Sequence, residues 1–239
     1  MLLAMSFGAS AGAAVEFATY LIPMHVESDS KGVFIDLINE MARRTGTSIH
    51  INVLPPTRAI DDFAHGQYDA VFPAVDLNFA LGQKPARTQE SIDCKEDFVF
   101  TRKGSPFLKT LSDLEGKRVG ITRGYPYAPE IMDHPGLKFE MAKSDEINIE
   151  KLMAGHLNAF ILDEKTGVKA FEAKGLLPLM QYDSNQSVSR LDVYVAFHAE
   201  AAGRGMAERF SQALAAMKAD GTYQRITHGV TIGGGCGRH

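Results

Sequence analysis

Clustered lysine and arginine are what this 239-residue sequence most evidently lacks. Its 25 cations are dispersed, with only doublets such as Arg43-Arg44 and Arg102-Lys103, and 29 acidic residues bring the formal net charge to −4. A surface that grips a polyanion needs grouped cations, so nucleic acid is excluded as a partner. Beyond the first residues no apolar stretch approaches the roughly 18 uninterrupted positions of a membrane span. Only two cysteines occur, Cys94 and Cys236, which permits one disulfide at most. Cys236 sits in GGGCGRH, a glycine-rich tail of the kind expected to be mobile, so no bridge is counted on. There is no Cys-x-x-Cys and no helical His-x-x-x-His, which leaves a dedicated zinc site unsupported. Gly-x-Ser-x-Gly, a Walker loop and a nucleophile with an evident base partner are missing as well, so no cofactor and no catalytic residue is expected.

What is present is enough apolar material for a buried core, 45% hydrophobic against 23% charged, in a length that suits one large domain or two modest ones. Residues 1–14, MLLAMSFGASAGAA, are apolar and then small, carry no charge, and offer Ala-x-Ala sites. They read as the end of a secretory signal peptide, which places the mature chain outside the cytoplasm.

From Val33, the run VFIDLINEMARRTG puts Phe34, Leu37, Ile38 and Met41 on one helical face and closes on Gly46. SIHINVL, Ser48 to Leu54, alternates as a strand and stops at Pro55-Pro56. Thr57 is the expected N-cap of the helix RAIDDFAHG, and the strand YDAVFP follows. The second half repeats the rhythm: strand KRVGI, a loop from Gly124 into a helix ending near Met132, strand KFEMA, a helix from Ser144 to Ala154, and strand NAFILD. HGQYDAVF and AGHLNAFI are echoes of one another. Both read Gly, two residues, Asp or Asn, Ala and an apolar pair, which fits a helix end, a left-handed Gly and a buried strand in each of two similar α/β units.

In order along the chain, GVFIDLINEMARRTG, AIDDFAHGQYDAVFPAVD, FVFTRKGSPF, LSDLEGKRVGITRGYPY, IEKLMAGHLNAFILDE and FSQALAAMKADGTYQRI resemble the bacterial extracellular solute-binding proteins of family 3. The resemblance implies an α/β fold of the type II periplasmic-binding-protein kind, with two lobes, each a mixed sheet flanked by helices, and two crossover segments. By it, lobe I comprises 15–93 and 193–239, lobe II comprises 98–190, and the hinge lies near 94–97 and 189–192. It implies a periplasmic monomer that captures a small polar solute, an amino acid or related charged metabolite, for an ABC-type membrane permease, without chemistry. A ligand-sensing module for a signalling partner and a dehydratase acting on a prephenate-like cyclic acid are the alternatives that share the fold.

Amino-acid-binding members of that family clamp the ligand carboxylate with an Arg in a Thr-x-x-Arg run, because a guanidinium pairs with it bidentately. Here Leu81 and Gly82 occupy that region, so Arg58 and Arg87 become the candidates. Asp163, ending NAFILD, falls where the family places a carboxylate for the ligand ammonium, and Asp76 ends the corresponding strand of the first unit. Tyr20, Tyr125 and Tyr127 fall in loops that line the cleft, each offering a flat apolar face and a hydroxyl. GITRGYPY resembles the family's Gly-rich turn, whose backbone N–H groups hold the carboxylate, but Pro126 lacks that N–H. His25 reads as a surface histidine.

Overall fold

The computed structural model describes residues 13–79, 84–228 and 236; apart from Ala13 and Ala14, the segment expected to be a signal peptide lies outside them. In chain order the elements are β1 (Val15–Thr19), α1 (Val33–Thr45), β2 (Ile49–Val53), α2 (Pro56–Ala64), β3 (Ala70–Ala74), β4 (Ala86–Arg87), β5 (Asp93–Arg102) and β6 (Arg118–Thr122). They continue with α3 (Pro129–Met132), β7 (Lys138–Ala142), α4 (Asp145–Met153), β8 (Ala159–Asp163), α5 (Glu164–Ala173), β9 (Met180–Gln181), β10 (Ser189–Phe197), α6 (Ala201–Ala219) and α7 (Thr222–Thr227).

Two parallel three-stranded units share one internal order. In the first, β1 lies between β2 and β3; in the second, β6 lies between β7 and β8. An antiparallel strand flanks each, β10 against β3 and β5 against β8. These two long strands also pair with each other, Asp93–Val193 through Asp97–Ser189, so the path between the units runs along them. The result is an α/β fold in which the two units expected from the alternating pattern lie on one hydrogen-bonded strand path, β2-β1-β3-β10-β5-β8-β6-β7.

Each unit has its own core. Phe17, Phe72, Phe197 and Phe210 meet in the first and pack on Leu37, Ile38 and Met41 of α1. Phe98, Phe100, Phe160 and Phe171 form the corresponding centre of the second. Fully burying side chains of this size contributes about 1.5–3 kcal/mol each. The i, i+3, i+4, i+7 spacing from Phe34 to Met41 is what allows α1 to cover its sheet, since all four are buried. Gly46 ends that helix in a left-handed conformation, φ 64°, and returns its N–H to Ala42 and Arg43.

The two echoes occupy equivalent places. Gly66 and Gly155 both adopt positive φ, 75° and 76°. The N–H groups of Gly66 and Gln67 reach Phe63 O and Asp62 O, and those of Gly155 and His156 reach Leu152 O and Lys151 O. The shared Asp or Asn has a physical role too. Asp69 Oδ2 accepts the N–H of Glu16 on β1 at 2.8 Å, and Asn158 Oδ1 accepts that of Arg118 on β6 at 2.9 Å. In each unit this side chain therefore fastens a buried strand to the start of its central neighbour.

Two expectations change. Helix α2 begins at Pro56 with no side-chain cap, not behind Thr57; proline's fixed φ suits a first turn, and its missing N–H removes a group that needs a partner. Cys94 and Cys236 are joined in a disulfide, with Cα atoms 4.9 Å apart, and Cys236 N donates to Asp192 Oδ1 at 2.7 Å. A separation of 142 residues says nothing about distance in space, so only the fold could bring the two sulfurs together. Among the described residues no helix is long and apolar enough to cross a membrane.

Candidate functional site

The C-terminal ends of the parallel strands face one another across β5 and β10, and a cavity of about 630 Å³, its mouth included, lies between them. The first unit contributes Tyr20 and Ile22 after β1, His25, Phe34 of α1, and Pro73 and Val75 at the end of β3. The second contributes Tyr125 and Pro126 after β6, Asp163 at the end of β8 and Thr166 of α5. Asp93 and Lys95 of β5 and Val193 of β10 complete it. Open α/β sheets bind ligands at such strand ends because chain direction changes there into loops free to shape a pocket. The two units also touch beyond the cavity: a Cβ added to Gly124 would lie 3.4 Å from Thr57 Oγ1.

Tyr20, Tyr125 and Asp163 are thus brought together as walls of one space. Tyr20 is buried and donates its hydroxyl to Pro73 O at 3.3 Å, and burial pushes its phenol up. Tyr125 donates to Asp145 Oδ2 at 3.2 Å; burial and the Asp145 charge hold its phenol protonated well above the usual range. Asp145 also accepts from Thr122 Oγ1 at 2.5 Å, and burial raises its carboxyl despite these donors. Asp163 caps α5, Oδ1 accepting the N–H of Thr166 at 3.0 Å, while its other oxygen makes no hydrogen bond among the described residues. His25 is corrected from a surface residue to a buried one, 4% exposed, in the cavity wall.

The other predicted residues stand elsewhere. Tyr127 is packed rather than lining the cavity, its hydroxyl accepting from Thr122 N at 3.0 Å and donating to Ile161 O at 3.2 Å. Arg58 is two-thirds exposed and pairs along its own helix with Asp62 at 3.0 Å. Arg87 pairs with Asp76 at 3.1 Å and stacks 3.6 Å over the Tyr194 ring, which spends both groups on each other. None of these four is among the residues lining the cavity. Leu81 and Gly82 lie outside the described residues.

Residue-by-residue reading missed the charges on β5. In DCKED the strand period places Asp93, Lys95 and Asp97 on one side and Cys94 and Glu96 on the other. Lys95 forms an ion pair with the fully buried Asp97, which also accepts from Ser189 Oγ at 2.8 Å. Burial drives the Asp97 carboxyl upward, and Lys95 opposes that shift. Lys165 of α5 approaches Asp93 at 3.7 Å, linking the second unit to the start of the connecting strand. An alternating run of charges inside an otherwise apolar strand was the available signal.

Residues 15–229 match the description of bacterial extracellular solute-binding proteins, family 3. The chain belongs to this family. Among curated family relatives, the ABC transporter arginine-binding protein 1 of Escherichia coli K12 is 25% identical over 236 residues, covering 95% of this chain and 94% of that one. The histidine-binding periplasmic protein of the same strain is 22% identical over 200 residues, covering 82% and 76%. An ancestral arginine-binding protein solved with arginine shares the family 3 fold at a TM-score of 0.71, 18% identity, and 90% and 96% coverage.

Proposed function

We propose that this family 3 protein captures a small polar solute between its lobes and hands it to the permease of an ABC transporter from the periplasm, as a monomer and without chemical change. The observation that carries the reading is the cavity itself, whose walls come from both units and whose floor is the pair of strands joining them. Lobe I is taken as 15–93 with 193–239, lobe II as 98–190, and the hinge as 94–97 with 189–192. A solute touching both walls stabilises the closed arrangement by its differential affinity for it. Tyr20, Tyr125 and Asp163 are the contacts proposed from the earlier candidates, joined now by His25. Asp76, Arg58, Arg87 and Tyr127 are left outside the contact set, because their polar groups are occupied by neighbours away from the cavity.

A thermal-shift screen against amino acids, amines and polyamines, dicarboxylates and sugars tests this. A solute at a hundred times its dissociation constant stabilises the folded chain by about 2.7 kcal/mol. A solute of one class should raise the melting temperature and be recovered unaltered; no shift from any class, or a converted product, rejects the receptor reading.

A further inference from the structure

The cavity is poorly equipped for a carboxylate and well equipped for an amine. No arginine lines it among the described residues, and Arg238 is the only arginine outside them. The lining cation, Lys95, is held by Asp97. At the turn after β6, Tyr125 N is directed to Thr122 O at 3.4 Å, Pro126 has no N–H, and the Tyr125 hydroxyl is committed to the chain's own Asp145. The donors that could meet a ligand carboxylate are therefore few.

Acceptors, in contrast, converge. His25 Nδ1 lies 3.1 Å from Pro23 O, and since a carbonyl only accepts, Nδ1 carries the proton. In the neutral ring Nε2 is then an acceptor. That atom is buried, makes no directed hydrogen bond among the described residues, and sits 3.4 Å from Asp93 Oδ2, whose companion oxygen accepts from Cys94 N and faces Lys165. Asp163 lines the same cavity from the second unit, and Tyr20, Phe34 and Tyr125 add aromatic surface to it. A buried acceptor such as Nε2 left without a donor is destabilising, and an ammonium N–H removes that cost while pairing with a carboxylate.

We propose that the solute is a primary or secondary organic ammonium with an apolar body and no carboxylate, Asp163 supplying the counter-charge and His25 Nε2 an acceptor. This rests on the receptor reading above. The test is calorimetry on the disulfide-bonded chain with matched pairs differing only by the carboxylate: 2-phenylethylamine and L-phenylalanine, isoamylamine and L-leucine, isobutylamine and L-valine. At least one amine should bind ten or more times tighter than its amino acid, and N-trimethylation of that amine, which removes every N–H, should weaken binding at least tenfold. Asp163→Asn, which retains a capping side chain, and His25→Phe, which retains an aromatic ring, should each lose at least tenfold. An amino acid binding as tightly as its amine, a trimethylated amine binding equally well, indifference to both substitutions, or no amine binding would overturn the proposal. Binding of an amino acid, sugar or dicarboxylate in those cases leaves the receptor reading standing, whereas silence from every class removes both.

Discussion

Asp163 holds a helix and faces a cavity at once, and the two duties separate by substitution. Asp163→Ala removes the acceptor for Thr166 N and should lower stability by about 1 kcal/mol, whereas Asp163→Asn keeps a capping oxygen and should cost only a fraction of that. Urea denaturation of both variants reads the difference; equal losses would show that the cap contributes nothing. Gly32 sets the position of His25. Its φ of 132° is strained for any other residue, and an added Cβ would sit 2.4 Å from His25 O. Gly32→Ala should therefore destabilise by about 1–3 kcal/mol, visible as a lower denaturation midpoint, and an unchanged midpoint would refute the close approach. Asp163 was legible because a carboxylate at a strand end follows from strand periodicity and the family resemblance. His25 was not, because its burial depends on Phe34 packing against its ring, 4.6 Å between centroids, and on a backbone turn that no side-chain pattern announces.

At the scale of elements, α1 is tied to α6 and α7 through Arg44, which pairs with Glu40 of its own helix at 2.7 Å and reaches Asp220 at the end of α6 at 2.7 Å and Thr222 of α7 at 3.0 Å. Hydrogen bonds from Arg43 and Arg44 hold the Glu40 carboxyl at about 2, below its ordinary 4.5, and Arg44 with Thr222 also lowers that of Asp220. A carboxyl depressed on folding contributes stability that is complete above its unfolded value and disappears as pH falls through its folded one. Arg44→Met should thus lower the melting temperature near pH 6, and the gap from the unsubstituted protein should narrow as pH falls from about 4.5 toward 2. A gap independent of pH would reject the ion pairs as its source. Most elements were readable beforehand: α1 by its apolar face and Gly46, and the paired Gly66 and Gly155 by repetition. The start of α2 was not, since two prolines shape that turn without a side-chain cap.

For the whole molecule, the Cys94–Cys236 bridge matters most, because Cys94 stands on the connecting strand between two lining residues, Asp93 and Lys95. Closing so long a loop typically stabilises by about 2–4 kcal/mol. Cys94→Ser, or reductant added to the native chain, should lower the melting temperature accordingly, and no change under reducing conditions would mean that the bridge does not stabilise the fold. By itself the sequence determined that two similar α/β units exist, that each carries a Gly-terminated helix before a buried strand, and which family the chain resembles. These are consequences of local backbone preference and apolar periodicity, which neighbouring residues express without help. Only the tertiary structure decided that Cys94 meets Cys236, that Arg87 is spent on Asp76, and that His25 and Phe34 line the same cavity as Asp163. Such partnerships depend on how the β2-β1-β3 and β7-β6-β8 units meet along β5 and β10, a distance in space that separation along the chain does not encode.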